Sequence, residues 1–106
     1  MWLDNFEMSK WAYYYCKNKK DRPEIRKLIT DSTWAFRYCK YIKDRPEVRK
    51  LITDSYWAYH YCRFIKDRLE VRKYITNSQD IYNYRKHIKN RLLGLENILR
   101  RYNVVR

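Results

Sequence analysis

Four cations recur at a spacing of 23 residues: Lys17, Lys40, Arg63 and Lys86. Three residues after each stands another, giving Lys20, Lys43, Lys66 and Lys89. The position one turn before the first set holds Tyr14, Arg37, His60 and Asn83, so Arg37 extends the cationic set. Side chains three and four apart share a helix face. Stacked copies of such a helix would align these residues into a ladder. A surface of one sign attracts phosphate backbones without reading base sequence. An aromatic recurs with the same period at Tyr13, Phe36, Tyr59 and Tyr82. Two roles fit it: a row of stacking platforms for unpaired bases, or packing against the adjacent copy. Tyr41 and Phe64 flank the apolar positions and read as buried. A secondary basic face comprises Arg26, Arg49 and Arg72 with Lys27, Lys50 and Lys73. Its lysines follow Glu24, Glu47 and Glu70 by three residues and are partly compensated. The first-helix ladder is therefore the favoured binding surface.

Other chemistries find little support. Cys16, Cys39 and Cys62 share one repeat position beside the apolar face and read as small buried hydrophobes. Helices stack ~8–10 Å apart, too far for a disulfide between such cysteines. There is no C-x-x-C pair, and His60 and His87 stand at positions that repeat no ligand type, so no metal site is expected. The acids recur at helix starts instead of forming a carboxylate pair for acid–base work. No catalytic residue and no cofactor is expected, and the chain reads as a binder, not an enzyme.

The elements that carry these residues follow from an internal repeat. Trp11-Ala12-Tyr13-Tyr14-Tyr15-Cys16, Trp34-Ala35-Phe36-Arg37-Tyr38-Cys39 and Trp57-Ala58-Tyr59-His60-Tyr61-Cys62 align at the 23-residue period. They define copies at 11–33, 34–56 and 57–79. A decayed copy with a C-terminal cap occupies 80–106, and residues 2–10 read as an N-terminal half-repeat, with Trp2 and Phe6 at the register of Ile25 and Ile29. Each copy predicts two short helices. The first runs over about 32–43, with Trp34, Ala35, Tyr38 and Ile42 on one face and Asp31 or Ser32 as its cap. The second runs over about 44–52, with Asp44, Pro46 and Glu47 as cap, first-turn proline and capping-box acid. Asp21 and Asp67 are the equivalent caps, and Asp54 caps the next first helix. Helices this short are marginal alone, so they must stack. Leu95, Ile98, Leu99 and Tyr102 read as a closing helix. The expected fold is all-α: a short α-solenoid of two-helix repeats, one domain over 1–106.

Composition agrees. The 106 residues include 25 Lys+Arg against 12 Asp+Glu, a formal net charge of +13. That excess recurs in every copy instead of collecting in a tail. Aromatics make up 18% of the chain, which argues against a disordered basic segment. One Gly and two Pro argue against an all-β sandwich and leave no Gly-rich phosphate loop. No apolar run approaches ~18 residues, and Met1-Trp2-Leu3-Asp4 lacks the pattern of a signal peptide. A cytoplasmic protein with no membrane partner is expected.

The repeat W-A-[YF]-x-Y-C-[KR]-x-I-K-D-R-x-E-[IV]-R-K-x-I-T-[DN]-S is carried by Trp34–Cys39, Ile42–Val48 and their equivalents over about residues 11–91. It resembles the short tandem helical repeats of tailed phages and giant viruses. The resemblance implies a helical-hairpin repeat fold and, for a small basic phage protein, a counter-defence role in the host cytoplasm. The partner expected from charge is nucleic acid, RNA ahead of DNA. The alternative is a host protein effector that receives the basic face on an acidic surface or in a nucleic-acid channel, as an anti-CRISPR-like inhibitor would. The uncovered repeat ends offer a route to homo-oligomers.

Overall fold

The structure is a computed structural model that describes residues 3–89, with only the backbone at Lys89. Trp2, the second half of the fourth copy (Leu92–Glu96) and the expected closing helix at Leu95, Ile98, Leu99 and Tyr102 lie outside the described residues. Among the described residues every regular element is helical. Four longer helices, α1 (Asn5–Asn18), α3 (Ser32–Tyr41), α5 (Ser55–Phe64) and α7 (Ser78–Tyr84), alternate with three single-turn helices, α2 (Pro23–Arg26), α4 (Pro46–Arg49) and α6 (Leu69–Arg72). A π-turn, Arg85–Lys89, follows α7.

Local chemistry sets these boundaries. Asp31 caps α3 by accepting the Thr33 N–H at 2.8 Å, Asp54 caps α5 through the Trp57 N–H at 3.3 Å, and Asn77 caps α7 through the Gln79 N–H at 2.9 Å. The C-terminal ends need no left-handed glycine, and no described residue has positive φ. Instead the carbonyls of Tyr15, Tyr38 and Tyr61 each accept two N–H groups, from Lys19 and Lys20, Ile42 and Lys43, and Ile65 and Lys66, at 2.8–3.2 Å. Pro23 and Pro46 start α2 and α4, where a missing N–H is harmless. Among the described residues the second helices, α2, α4 and α6, are one turn long, and α4 is shorter than the 44–52 expected.

α1 packs on α3, α3 on α5 and α5 on α7, while each single-turn helix packs on the longer helix before it. Ala35 and Ala58, fully buried, let neighbouring backbones approach. Ile29, Ile52, Val48 and Val71 seal the other side, and Cys16, Cys39 and Cys62 fill it as buried free thiols. Burial pushes the Cys39 and Cys62 thiols up to about 12, with Asp44 and Asp67 adding to the effect.

Two polar clamps repeat with the sequence period. A serine hydroxyl at the first residue of α3 and α5, and at the equivalent position inside α1, binds the loop that follows the next single-turn helix. Ser32 donates to the Leu51 carbonyl at 3.1 Å and accepts the Thr53 and Asp54 N–H groups, both at 3.2 Å. Ser9 treats Leu28, Thr30 and Asp31 in the same way. Ser55 accepts the Thr76 and Asn77 N–H groups, both at 3.0 Å, and donates to Asp80 at 2.8 Å.

The second clamp is an aspartate hub between consecutive copies. Asp44 accepts from Arg49 Nε at 3.0 Å in its own copy and from Tyr61 Oη at 2.7 Å and Arg68 Nη2 at 3.3 Å in the next. Arg68 Nε also donates to Tyr61 Oη at 2.8 Å. Asp21 repeats this with Arg26, Tyr38 and Arg45, and Asp67 with Arg72 and Tyr84. These aspartates therefore do not cap the short helices as expected. Arg22, Arg45 and Arg68 occupy the cap position without a side-chain bond, and the carboxylates, one residue earlier, turn to the next copy.

Two further expectations are corrected. Residues 5–10 are the opening turns of α1, not half of a truncated copy, because Asp4 caps there by accepting the Glu7 N–H at 2.8 Å. Trp11 is 59% exposed although Trp34 is buried. Each tryptophan packs on the preceding copy: Trp34 on Phe6, Tyr13 and Tyr14, and Trp57 on Phe36. Among the described residues no longer helix precedes the α1 that carries Trp11.

Leu69 stands where the other copies have proline, 72% exposed at the first position of α6 and preceded by Arg68 in extended conformation. Leu69→Pro should stabilise the protein by about 0.4–1 kcal/mol, read from denaturant midpoints; a loss of stability would show that this N–H or side chain is needed. Burial alone would raise the Asp44 and Asp21 carboxyls, but the bonds from arginine and tyrosine outweigh it and hold both below their ordinary 3.8. Burial and the hub aspartates push Tyr38 and Tyr84 up to about 12. The carboxylate contribution is present above the unfolded value and lost as pH falls through the lower folded one. The tyrosine contribution is present below its ordinary value of 10.0 and lost as pH rises toward 12. Unfolding midpoints should therefore fall below about pH 4 and again above about pH 10; a midpoint unchanged at both ends would remove the hub from the energetics.

Candidate nucleic-acid interface

The ladder cations sit on the last turn of each longer helix and just beyond it. That turn points away from the hub because Tyr38 and Tyr61, each two residues before the cations Lys40 and Arg63, are held inward by Asp21 and Asp44. Lys17, Lys20, Arg37, Lys40, Lys43, Arg63, Lys66 and Lys86 are all exposed. The Lys89 side chain lies outside the described residues. Among the described residues, none of these eight pairs with a carboxylate. The paired cations are the hub arginines Arg26, Arg45, Arg49, Arg68 and Arg72, plus Arg22, which reaches Glu24 at 3.8 Å.

Aromatic rings, not acids, lie beside four of the ladder cations, Lys17, Arg37, Lys40 and Arg63. Lys17 Nζ lies 5.7 Å from the centre of the Tyr41 ring. Lys40 Nζ lies 5.2 Å from the Tyr41 ring and 4.8 Å from Phe64, and the Arg63 guanidinium 4.9 Å from Phe64. Contacts at this range are weak but attractive, and they leave the cation hydrated. The result is an alternating row, Lys17, Tyr41, Lys40, Phe64, Arg63, across three copies. Arg37 lies on the flank with its guanidinium 4.8 Å from the Trp34 ring. His60 stacks on Phe64 with ring centres 5.7 Å apart. Burial and then Arg63 hold its imidazole below the ordinary value, with Asp80 opposing and Lys40 adding a smaller push in the same direction.

The structure corrects the aromatic assignments. Tyr13, Phe36 and Tyr59, candidates for base stacking, are buried at 3%, 6% and 3% exposure. Their helical position faces the next longer helix, where Trp34 covers Tyr13 at 5.4 Å and Trp57 covers Phe36 at 5.2 Å. Packing against the adjacent copy is their role. Tyr82, 58% exposed, is the exception. Conversely, Tyr41 and Phe64, expected inside, are 57% and 50% exposed. The helix ends at Tyr41 and Phe64, so these rings swing out beside the lysines. The sequence carried a signal for this: each ring is bracketed by cations, Lys40-Tyr41-Ile42-Lys43 and Arg63-Phe64-Ile65-Lys66.

The secondary basic face divides. Lys27, Lys50 and Lys73 are exposed. Arg26 and Arg49 are buried and bridge copies: Arg26 joins Asp21 at 3.1 Å to Glu47 at 3.3 Å, and Arg49 joins Asp44 at 3.0 Å to Glu70 at 3.5 Å. Arg72, partly buried, holds Asp67 at 3.0 Å. Arg26 and Arg49 are thus structural and closed to a ligand, while Arg72 is engaged by Asp67 but remains partly exposed. Among the described residues no group of three His, Cys, Asp or Glu side chains could hold a metal ion, and no helix is long and apolar enough to cross a membrane.

Arg49→Ala should destabilise the fold by about 3 kcal/mol, because it leaves the Asp44 carboxylate half-buried without its nearest cation. Lys40→Ala should stay within about 0.5 kcal/mol of the parent. Equal effects in chemical denaturation would undo the division between structural and surface cations. Comparison with known protein families, curated proteins and solved structures finds no match to this chain.

Proposed function

We propose that this protein is a short α-solenoid of two-helix repeats that binds nucleic acid, RNA ahead of DNA, through the cationic row on its longer helices. One observation carries the reading. The hub acids Asp21, Asp44 and Asp67 and the bridging Glu47 and Glu70 are engaged by buried or half-buried arginines, while the row from Lys17 to Lys86 faces solvent with no carboxylate partner among the described residues. Among the described residues this leaves Lys17, Lys20, Arg37, Lys40, Lys43, Arg63, Lys66 and Lys86 as exposed, uncompensated cations on or just beyond the longer helices. Such a row attracts a polyphosphate strand by releasing its counterions and is indifferent to base sequence. The protein acts by covering its target, without catalysis. Masking RNA in this way is what a phage counter-defence factor would do, and we put that role forward together with the binding.

The variant Lys40→Glu, Lys43→Glu, Arg63→Glu, Lys66→Glu tests the reading in a titration with labelled RNA at ~0.1 M salt. Binding should be lost with the helical circular-dichroism signal intact. In the parent, the log–log slope of affinity against salt should flatten by about 0.7 for each row cation changed to alanine. Unchanged RNA binding in the charge-reversal protein would overturn the proposal. So would a protein partner that stays bound after nuclease treatment at ~0.5 M salt while RNA does not bind.

A further inference from the structure

We infer that Tyr41 and Phe64 are base-stacking positions, and that the row therefore takes unpaired, single-stranded nucleic acid in preference to duplex. This rests on the nucleic-acid reading above and specifies its ligand. The two rings are 57% and 50% exposed, whereas Tyr13 and Phe36 are covered by tryptophan from the next copy. Among the described residues neither ring is covered by a tryptophan; Tyr41 has Lys17 and Lys40 beside it, and Phe64 has His60 of its own helix beside it at 5.7 Å. Both are within 5.2 Å of one ammonium, that of Lys40, so a phosphate drawn to Lys40 brings its neighbouring bases to the two rings. Lys17 on one side and Arg63 on the other continue the charge. A lysine ammonium on its flexible stem leaves a ring readily for a phosphate oxygen, which frees the face for a base.

Duplex binding would need the cations alone, because paired bases hide their faces in the stack. Alternating rings and cations fit a strand whose bases are free, and every base offers a π-face, so sequence tolerance is kept. The next copy holds His87 at this position, within Lys86-His87-Ile88-Lys89. The first holds Asn18. The stacking positions are thus central in the row.

The test compares a mixed-sequence RNA of about 16 nucleotides, single-stranded and annealed to its complement, by fluorescence anisotropy at fixed salt. The parent should prefer the single strand. Tyr41→Leu with Phe64→Leu keeps apolar bulk but removes both rings; it should lose about tenfold per ring toward the single strand and less than about twofold toward duplex. Phe64→Trp, which enlarges the π-face, should tighten single-strand binding alone, and provides a readout if the leucine variant folds poorly. Equal affinity of the parent for both forms, or equal losses on both in the leucine variant, would overturn the stacking inference. Those results would leave the phosphate-binding row standing so long as the charge-reversal variant binds neither form. No binding of either RNA by the parent at low salt would remove the row itself.

Discussion

The carboxylate of Asp44 accepts from an arginine of its own copy and from a tyrosine and an arginine of the next. Much of the fold depends on that arrangement. α4 and α6 are single turns with no side-chain cap at their first residue, and neither would persist in isolation. They hold because Arg49 and Arg72, at their ends, are pinned to Asp44 and Asp67 just before their starts. The same tyrosine that gives its hydroxyl to a hub gives its carbonyl to end its helix. Helix length, helix spacing and the direction of the exposed last turn are thus set by one cluster of polar contacts.

The hub also sets the surface. Its members come in opposite charges, so the acids of the repeat are largely engaged inside or at the seams. What remains for the outer turn of the longer helices is a surplus of lysine and arginine, together with rings that the seams do not cover. A chain with 25 basic and 12 acidic residues could have scattered its charge evenly. Here geometry separates structural cations, which are arginines able to bridge two carboxylates with a planar fork, from surface cations, which are mostly lysines.

Much of this was legible in the residues. The period of Trp34, Ala35, Tyr38 and Cys39 located the longer helices, and Asp31 and Asp54 marked their starts. The exposed ladder from Lys17 to Lys86 followed from the helical wheel. The hub was not legible, because an aspartate before Arg-Pro-Glu fits a capping pattern equally well, and only the distance to Tyr61 in the next copy decides between them. Tyr13 and Tyr41 were exchanged for a related reason. A wheel drawn for one helix cannot say which side the following helix will cover, nor that the helix stops at Tyr41 and lets the ring turn outward. Arg26 and Arg49 read as surface charge because their partners Glu47 and Glu70 lie in the next copy.

The serine clamp, the hub and the row share one period of 23 residues. That coincidence has an evolutionary consequence. An in-frame duplication of one such segment inserts a matched seam along with a new pair of outward cations, since every partner a segment needs is supplied by its identical neighbour. Footprint length can therefore change in whole steps by recombination, without compensating substitutions elsewhere. Where Asp80 stands in the place of tryptophan, the seam is kept by a different contact, the Ser55 hydroxyl donated to its carboxylate.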